Sequence, residues 1–179
     1  KRDKREALTG AMLDSMLELA VLPSSGGVLG EAAAVYDWAR FGLYTGSRLG
    51  EYGQSKPKGR LPLDWHATIP HNTNVPQEWR GKPIAFLESD FEFFDLNWIQ
   101  LSVDNVLQHP GAAEKIRVRF RYDKGKINFH FRTFKRIHGN HLCCVKAALS
   151  IIRRHRRFSQ SPDLPMGVFR DVQGNICTI

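Results

Sequence analysis

One stretch limits the folding of this chain more than any other. Ile116, Val118, Phe120 and Tyr122 alternate with Arg117, Arg119 and Arg121. After Asp123-Lys124-Gly125-Lys126, Ile127, Phe129 and Phe131 alternate with Asn128, His130 and Arg132. Alternation at period two on both sides of a Gly-containing turn predicts a β-hairpin. Successive strand residues point to opposite faces, so the apolar set is expected to pack inward and the arginines to point outward. Strand stabilisation then requires a cover for the apolar face, and the flanking sequence supplies helices for it.

Charge follows the same segment. Lys115 to Arg157 holds fourteen Lys or Arg and one acid, Asp123, whereas the remainder holds 12 basic and 17 acidic residues. The net charge of +8 is thus concentrated and not spread. A concentrated positive segment on a folded domain is the footprint of a polyanion partner; the alternative is a solvated basic face. With 42% hydrophobic and 11% aromatic residues the chain can bury a core, which excludes wholesale disorder. No apolar run nears the length of a membrane-spanning helix, and no secretory leader is recognisable. Three cysteines build no disulfide framework, so a reducing, intracellular setting is the default. A start at Lys1 suggests a piece of a longer chain.

Residues 1–8 read as a charged linker or frayed terminus, and 9–179 as one domain. Ala11 to Leu22 is predicted helical, with Thr9 as N-cap and an apolar set of Met12, Leu13, Met16, Leu17 and Leu19. Pro23-Ser24-Ser25-Gly26-Gly27 ends it. A second helix is expected over Glu31–Leu43, with Val35, Trp38, Ala39 and Gly42 on one face. Residues 53–83 carry little periodicity and are expected to form a long loop pinned by Trp65 and Trp79. Pro83–Phe94 is expected to hold a strand, a turn at Ser89-Asp90 and a short second strand, and Trp98–Val106 another strand. Leu142–Phe158 is a third helix whose inward stripe is Val145, Ala148, Leu149 and Ile152; Arg153, Arg154, Arg156 and Arg157 fall mostly opposite, where the helix dipole favours cations. The fold class expected is α+β, with helices packed around a small antiparallel sheet that includes the basic hairpin.

Where the second helix meets Thr45-Gly46, Arg48 follows two residues later and Glu51 three beyond it. A guanidinium held at a helix corner makes a two-pronged phosphate contact at low entropic cost; an ordinary surface Arg-Glu pair is the competing reading. The run Thr45-Gly46-Ser47-Arg48-Leu49-Gly50-Glu51 resembles the first arginine box of the tyrosine recombinases, the phage-integrase superfamily. A strand pair, a hairpin with a lysine at its turn and a helix then follow in that family's order. The surrounding Tyr36-Asp37-Trp38 and Leu142-Cys143-Cys144-Val145-Lys146-Ala147 look most like the eukaryotic mobile-element, Crypton-like branch. The resemblance covers about residues 7–170 and implies a partial recombinase catalytic domain acting on duplex DNA through a phosphotyrosyl intermediate. In it, Arg48 would stabilise the scissile phosphate, Glu51 would buttress that arginine, and Lys124, or Lys126 two residues on, would protonate the leaving oxygen. Arg117, Arg119, Arg121, Lys126 and Arg132 would contact DNA. The resemblance further implies multimers on DNA and, through the mobile-element branch, a nuclear location. No cofactor and no metal are expected.

The family's H-x-x-R pair is absent: none of the histidines 66, 71, 109, 130, 138, 141 and 155 has Arg three residues on. The four tyrosines all precede the place of the nucleophile. The chain alone is therefore expected to be inactive in strand cleavage, either as a truncated domain or as a DNA-binding relic. Two further readings come from the residues. His138-x-x-His141-x-Cys143-Cys144 holds zinc-ligand types, though adjacent cysteines suit core packing better. Phe120, Phe129, Phe131 and Phe134 could stack single-stranded bases, though alternation favours packing.

Overall fold

The computed structural model describes residues 9–46, 68–69, 71, 75–121, 130–158 and 161–179. Among them the architecture is α+β, with four α-helices and a small antiparallel sheet.

Helix α1, Gly10–Val21, starts where Thr9, in an extended conformation, accepts a hydrogen bond from the Met12 amide at 3.2 Å. That cap satisfies one of the first-turn donors a helix leaves open. Two short 3₁₀ turns, Pro23–Ser25 and Gly27–Leu29, reverse the chain. Gly26 between them has φ 85°, and a Cβ there would meet the Gly30 Cα at 3.0 Å, so only glycine fits both the backbone and the space. Helix α2, Glu31–Thr45, runs back across the core. Its buried face is Ala34, Trp38, Phe41 and Thr45, with Tyr36, Asp37 and Arg40 beside it. The expected face is therefore rotated: Trp38 is inside, but Val35 is exposed. Both sides of α2 are covered, by α1 and by the helix Cys144–Arg157, so a single stripe does not describe it.

The sheet has four strands in the order β2-β1-β3-β4, all antiparallel: β1 Phe91–Phe94, β2 Gln100–Leu101, β3 Lys115–Phe120 and β4 His130–Lys135. The hairpin of β3 and β4 is present. Its second strand, however, has the opposite parity to the expected one. Phe131 lies opposite Arg119, while His130, Arg132 and Phe134 lie opposite Phe120, Val118 and Ile116. Residues paired across strands share a face, so Phe131 joins the arginine face. The apolar parity changes between Phe131 and Phe134, and Phe134 is the one packed on the core. Ile127, Phe129 and the turn lie outside the described residues.

Two other expectations are corrected. The strand expected over Trp98–Val106 is only the pair Gln100–Leu101, because Ser102 accepts from the Asn105 amide at 3.2 Å and caps helix α3, Val103–Gln108. Of Pro83–Phe94 only Phe91–Phe94 is strand; before it, the Asp90 carboxylate accepts from the Leu87 amide at 2.9 Å and closes a 3₁₀ turn over Glu88–Asp90.

Helix α4, Cys144–Arg157, buries Val145, Ala148, Leu149 and Ile152 as expected. With Trp38, Phe41, Phe86, Phe91 and Phe120 they form the main core. The Phe86 ring stacks on Trp38 at 6.1 Å and meets Phe120 edge-on at 5.6 Å, geometries that add to simple burial. A second cluster of Leu13, Ala20, Ala33 and Tyr36 joins α1 to α2. A short ribbon, β5 Val168–Arg170 with β6 Ile176–Thr178, follows α4 and has no counterpart among the expected elements. Among the described residues no helix is long and apolar enough to cross a membrane.

Candidate nucleic-acid interface

Arg48, Glu51, Lys124 and Lys126 lie outside the described residues. What frames them is described on both sides. Helix α2 ends at Thr45, whose buried hydroxyl donates to the Phe41 carbonyl at 2.9 Å. Gly46 follows at φ 68°, and its amide closes the helix on Gly42 at 2.8 Å. This is the left-handed cap that glycine accepts without a Cβ penalty. Thr45-Gly46 is thus a helix terminus, and Arg48 follows it by two positions in the sequence.

Arg132 reaches that terminus. It was expected on the outer face with the other DNA-contacting arginines. The structure corrects this: β4 pairing puts it on the helix side, where Nη1 donates to the Thr45 carbonyl at 3.3 Å and the guanidinium lies 5.0 Å from the Phe120 ring. A cation on the last carbonyls of a helix complements its dipole. The contact joins the end of α2 to strand β4.

Arg121 is corrected as well. It is 4% exposed, and its Nε donates to Asp90 Oδ1 at 2.7 Å. Burial pushes the Asp90 carboxyl above its usual range, and the Arg121 charge opposes that shift. Arg121 is an internal ion pair with no surface to offer DNA. Arg117 stays on the outer face, with Nε 2.6 Å from Glu92 Oε2 on the neighbouring strand. Its guanidinium lies 5.2 Å from the Phe94 ring and 5.0 Å from the Phe131 ring. Arg119 lies between Trp79, at 5.3 Å, and Phe131, at 5.0 Å. Phe131 is itself 43% exposed. The outer face is therefore a layer of guanidinium and aromatic planes held at stacking distance.

The concentrated charge has a second explanation beside a ligand. Four arginines of the basic segment pair with carboxylates from the acidic part of the chain: Arg117 with Glu92, Arg121 with Asp90, Arg154 with Asp37, and Arg156 with Glu88 at 2.6 Å. Arg154, expected opposite the buried face, is 4% exposed because Asp37 of α2 draws it in. Lys115 is also buried, with Nζ on the Leu96 carbonyl at 2.6 Å and 4.2 Å from the Trp98 ring. Sequence reasoning weighed Phe131 as a stacking aromatic but favoured packing for it, took Trp79 only as a loop anchor, and missed Asp37 as an ion-pair hub. A signal for Asp37 was present, an acid three residues before Arg40 on an otherwise apolar helix.

The zinc-type residues do not converge. His138 meets Glu114 at 2.9 Å, His141 meets Asp14 at 2.9 Å, and the Cys143 sulfur accepts from the Ile137 amide at 3.2 Å. Burial pushes the Cys144 thiol far up, away from the thiolate a metal needs. Among the described residues no group of three or more His, Cys, Asp or Glu is placed to hold a metal. Comparisons of the chain with protein-family models, curated proteins and solved structures found no match in any of the three.

Proposed function

We propose that this chain is the arginine-box portion of a tyrosine-recombinase-type catalytic domain and engages duplex DNA. The observation that carries the reading is the bond from Arg132 to the Thr45 carbonyl at 3.3 Å. It ties Thr45, which precedes Arg48 in the sequence, to the strand that follows Lys124 in the sequence, and this supports reading the two as neighbours of one phosphate. In this reading Arg48 stabilises phosphate charge, Glu51 orients it, and Lys124 or Lys126 protonates the leaving oxygen. Arg119 and Lys126 supply backbone contacts. Without H-x-x-R and a nucleophilic tyrosine in the sequence, binding and not cleavage is the activity expected of the chain itself, and the same scaffold serves equally as a DNA-binding relic. A nuclear site of action and assembly on DNA belong to the same proposal.

Fluorescence anisotropy with a labelled duplex tests it. Affinity should fall linearly on a log-log plot against salt, and Arg48→Ala should weaken binding far more than Arg80→Ala, whose Nε holds the Val75 carbonyl at 2.8 Å. Equal losses would remove the arginine-box assignment.

A second reading has its own observation, the exposed Phe131 between Arg117 and Arg119. That surface suits the stacking of single-stranded bases, worth about 1–3 kcal/mol per base. Preference for single strands over duplex, lost in Phe131→Ala, would favour it over the recombinase reading.

A further inference from the structure

The sheet has two unlike edges. On β4, Arg132 and Lys135 stand exposed. The opposite edge, β2, is uncharged: the sequence from Leu96 to Val103 holds neither acid nor base. Among the described residues no strand pairs with the outer side of β2. Natural sheets commonly protect an open edge with charge or proline, and neither occurs in that stretch.

The turn that leads into β2 is stiff. Asp95 Oδ1 accepts the amides of Asn97 and Ile99, each at 2.8 Å, and the Asp95 amide donates to the Ile99 carbonyl at 3.0 Å. Trp98 has φ 66° and is the one non-glycine residue with positive φ among the described residues. A bulky side chain in that region is strained. The ring is held there by Phe94, at 5.6 Å, and by the Lys115 ammonium beneath it, at 4.2 Å. The outcome is a fixed apolar surface: Leu96 is 72% exposed, Trp98 54% and Ile99 60%. Strained residues cluster at functional sites, and grouped exposed apolar side chains mark contact surfaces.

The backbone register says what fits. Gln100 sits opposite Phe94, between the pairs Asp95–Ile99 and Phe93–Leu101. Because Asp95 and Ile99 are bonded to each other, the alternation of an antiparallel ladder turns the amide and carbonyl of Gln100 away from β1, toward the open side. A second β2 laid antiparallel about a two-fold axis at Gln100 gives both groups a partner. The same axis sets Ile99 opposite Leu101 of the other copy, apolar against apolar on one face. A two-fold contact uses the same patch on both copies, so any charge near the axis meets its own image. The uncharged edge is the one that is electrostatically self-complementary. The flanking acids are occupied within their own chain, Asp95 by its turn amides and Asp104 by Arg156 Nη1 at 3.5 Å.

We propose that β2 is a homodimer interface: two copies of this chain join antiparallel, edge to edge, about a two-fold axis at Gln100, and Leu96, Trp98 and Ile99 close over the join. The charged β4 edge ends the assembly at two copies. The interface is independent of the nucleic-acid reading.

Sedimentation velocity of the full chain, freed of nucleic acid, over about a hundredfold range of concentration tests it. The mass should rise from one copy to two and stop. Gln100 is exposed, so Gln100→Lys and Gln100→Glu leave the core intact. Each should weaken self-association several-fold, because like charges then stand directly opposite each other. An equimolar mixture of the two variants should restore the dimer, and native mass spectrometry should find one copy of each in it. A single-copy mass at every concentration would overturn the proposal. So would a dimer that both variants leave intact, or a mixture of the two that associates no better than either alone.

Discussion

Arg117, Arg119 and Arg121 recur at every second position, yet they meet three different fates. Arg117 pairs with Glu92 in a partly exposed setting, Arg119 lies between rings, and Arg121 is sealed against Asp90. An exposed pair contributes at most about 1 kcal/mol, whereas removing one partner of a buried pair strands a charge and costs about 3–5 kcal/mol. Urea denaturation should therefore show Arg121→Ala strongly destabilised and Arg117→Ala close to the parent. Alternation shows that these side chains share a direction; it carries no information about which acid the fold will bring opposite each. Asp90 lies 31 residues before Arg121, and only the pairing of β1 with β3 makes them neighbours. For the same reason the basic hairpin was legible as a hairpin but not as a set of contacts.

At the scale of elements, local chemistry was the dependable guide. Thr9 caps α1, Pro23 and Gly26 turn the chain, and the inward stripe of α4 is the one its periodicity implies. The misreadings fall where packing outweighs pattern. Phe131 and Phe134 are both large and apolar but differ in parity, and the helices above the sheet choose Phe134. Ser102 stops a strand that Ile99 and Leu101 would otherwise extend. Gly46 is the element-scale residue with the clearest consequence. A Cβ there meets no atom within 4 Å, so the cost of Gly46→Ala is conformational, set by φ 68°, and amounts to about 1–2 kcal/mol. Thermal unfolding should show that modest loss. If the chain engages duplex DNA as proposed, affinity should fall by more than stability predicts, because Arg48 follows this cap by two positions.

For the whole molecule, acidic residues before position 93 neutralise part of the basic segment, so folding and charge balance are one event. The same layer seals His155 at 0% exposure, with Glu88 and Arg156 nearby. Burial holds its ring below the ordinary histidine value of 6.5. The unfolded chain then takes up a proton that the folded chain resists. Stability from the neutral ring is complete above about pH 6.5 and declines as pH falls below it, by at most about 1.4 kcal/mol per pH unit. Chemical denaturation at pH 7.5 and 5.5 should reveal that loss, and His155→Leu should flatten it. The α+β class and the core helices could be read from the sequence because burial and periodicity are local. The Asp37–Arg154 link could not, since it joins residues 117 positions apart.

Strand β4 closes one side of the sheet, and among the described residues its far edge meets no further strand. Exposed Arg132 and Lys135 stand along it, as cationic guards against a second copy docking its own backbone there. Such protection is coulombic and fades when the Debye length contracts to about 3 Å near 1 M salt. Light scattering should accordingly register growing particles as sodium chloride rises, and substitution of both guards by threonine should bring that onset to lower ionic strength. The colloidal behaviour of the protein would then be set by two side chains at a sheet margin.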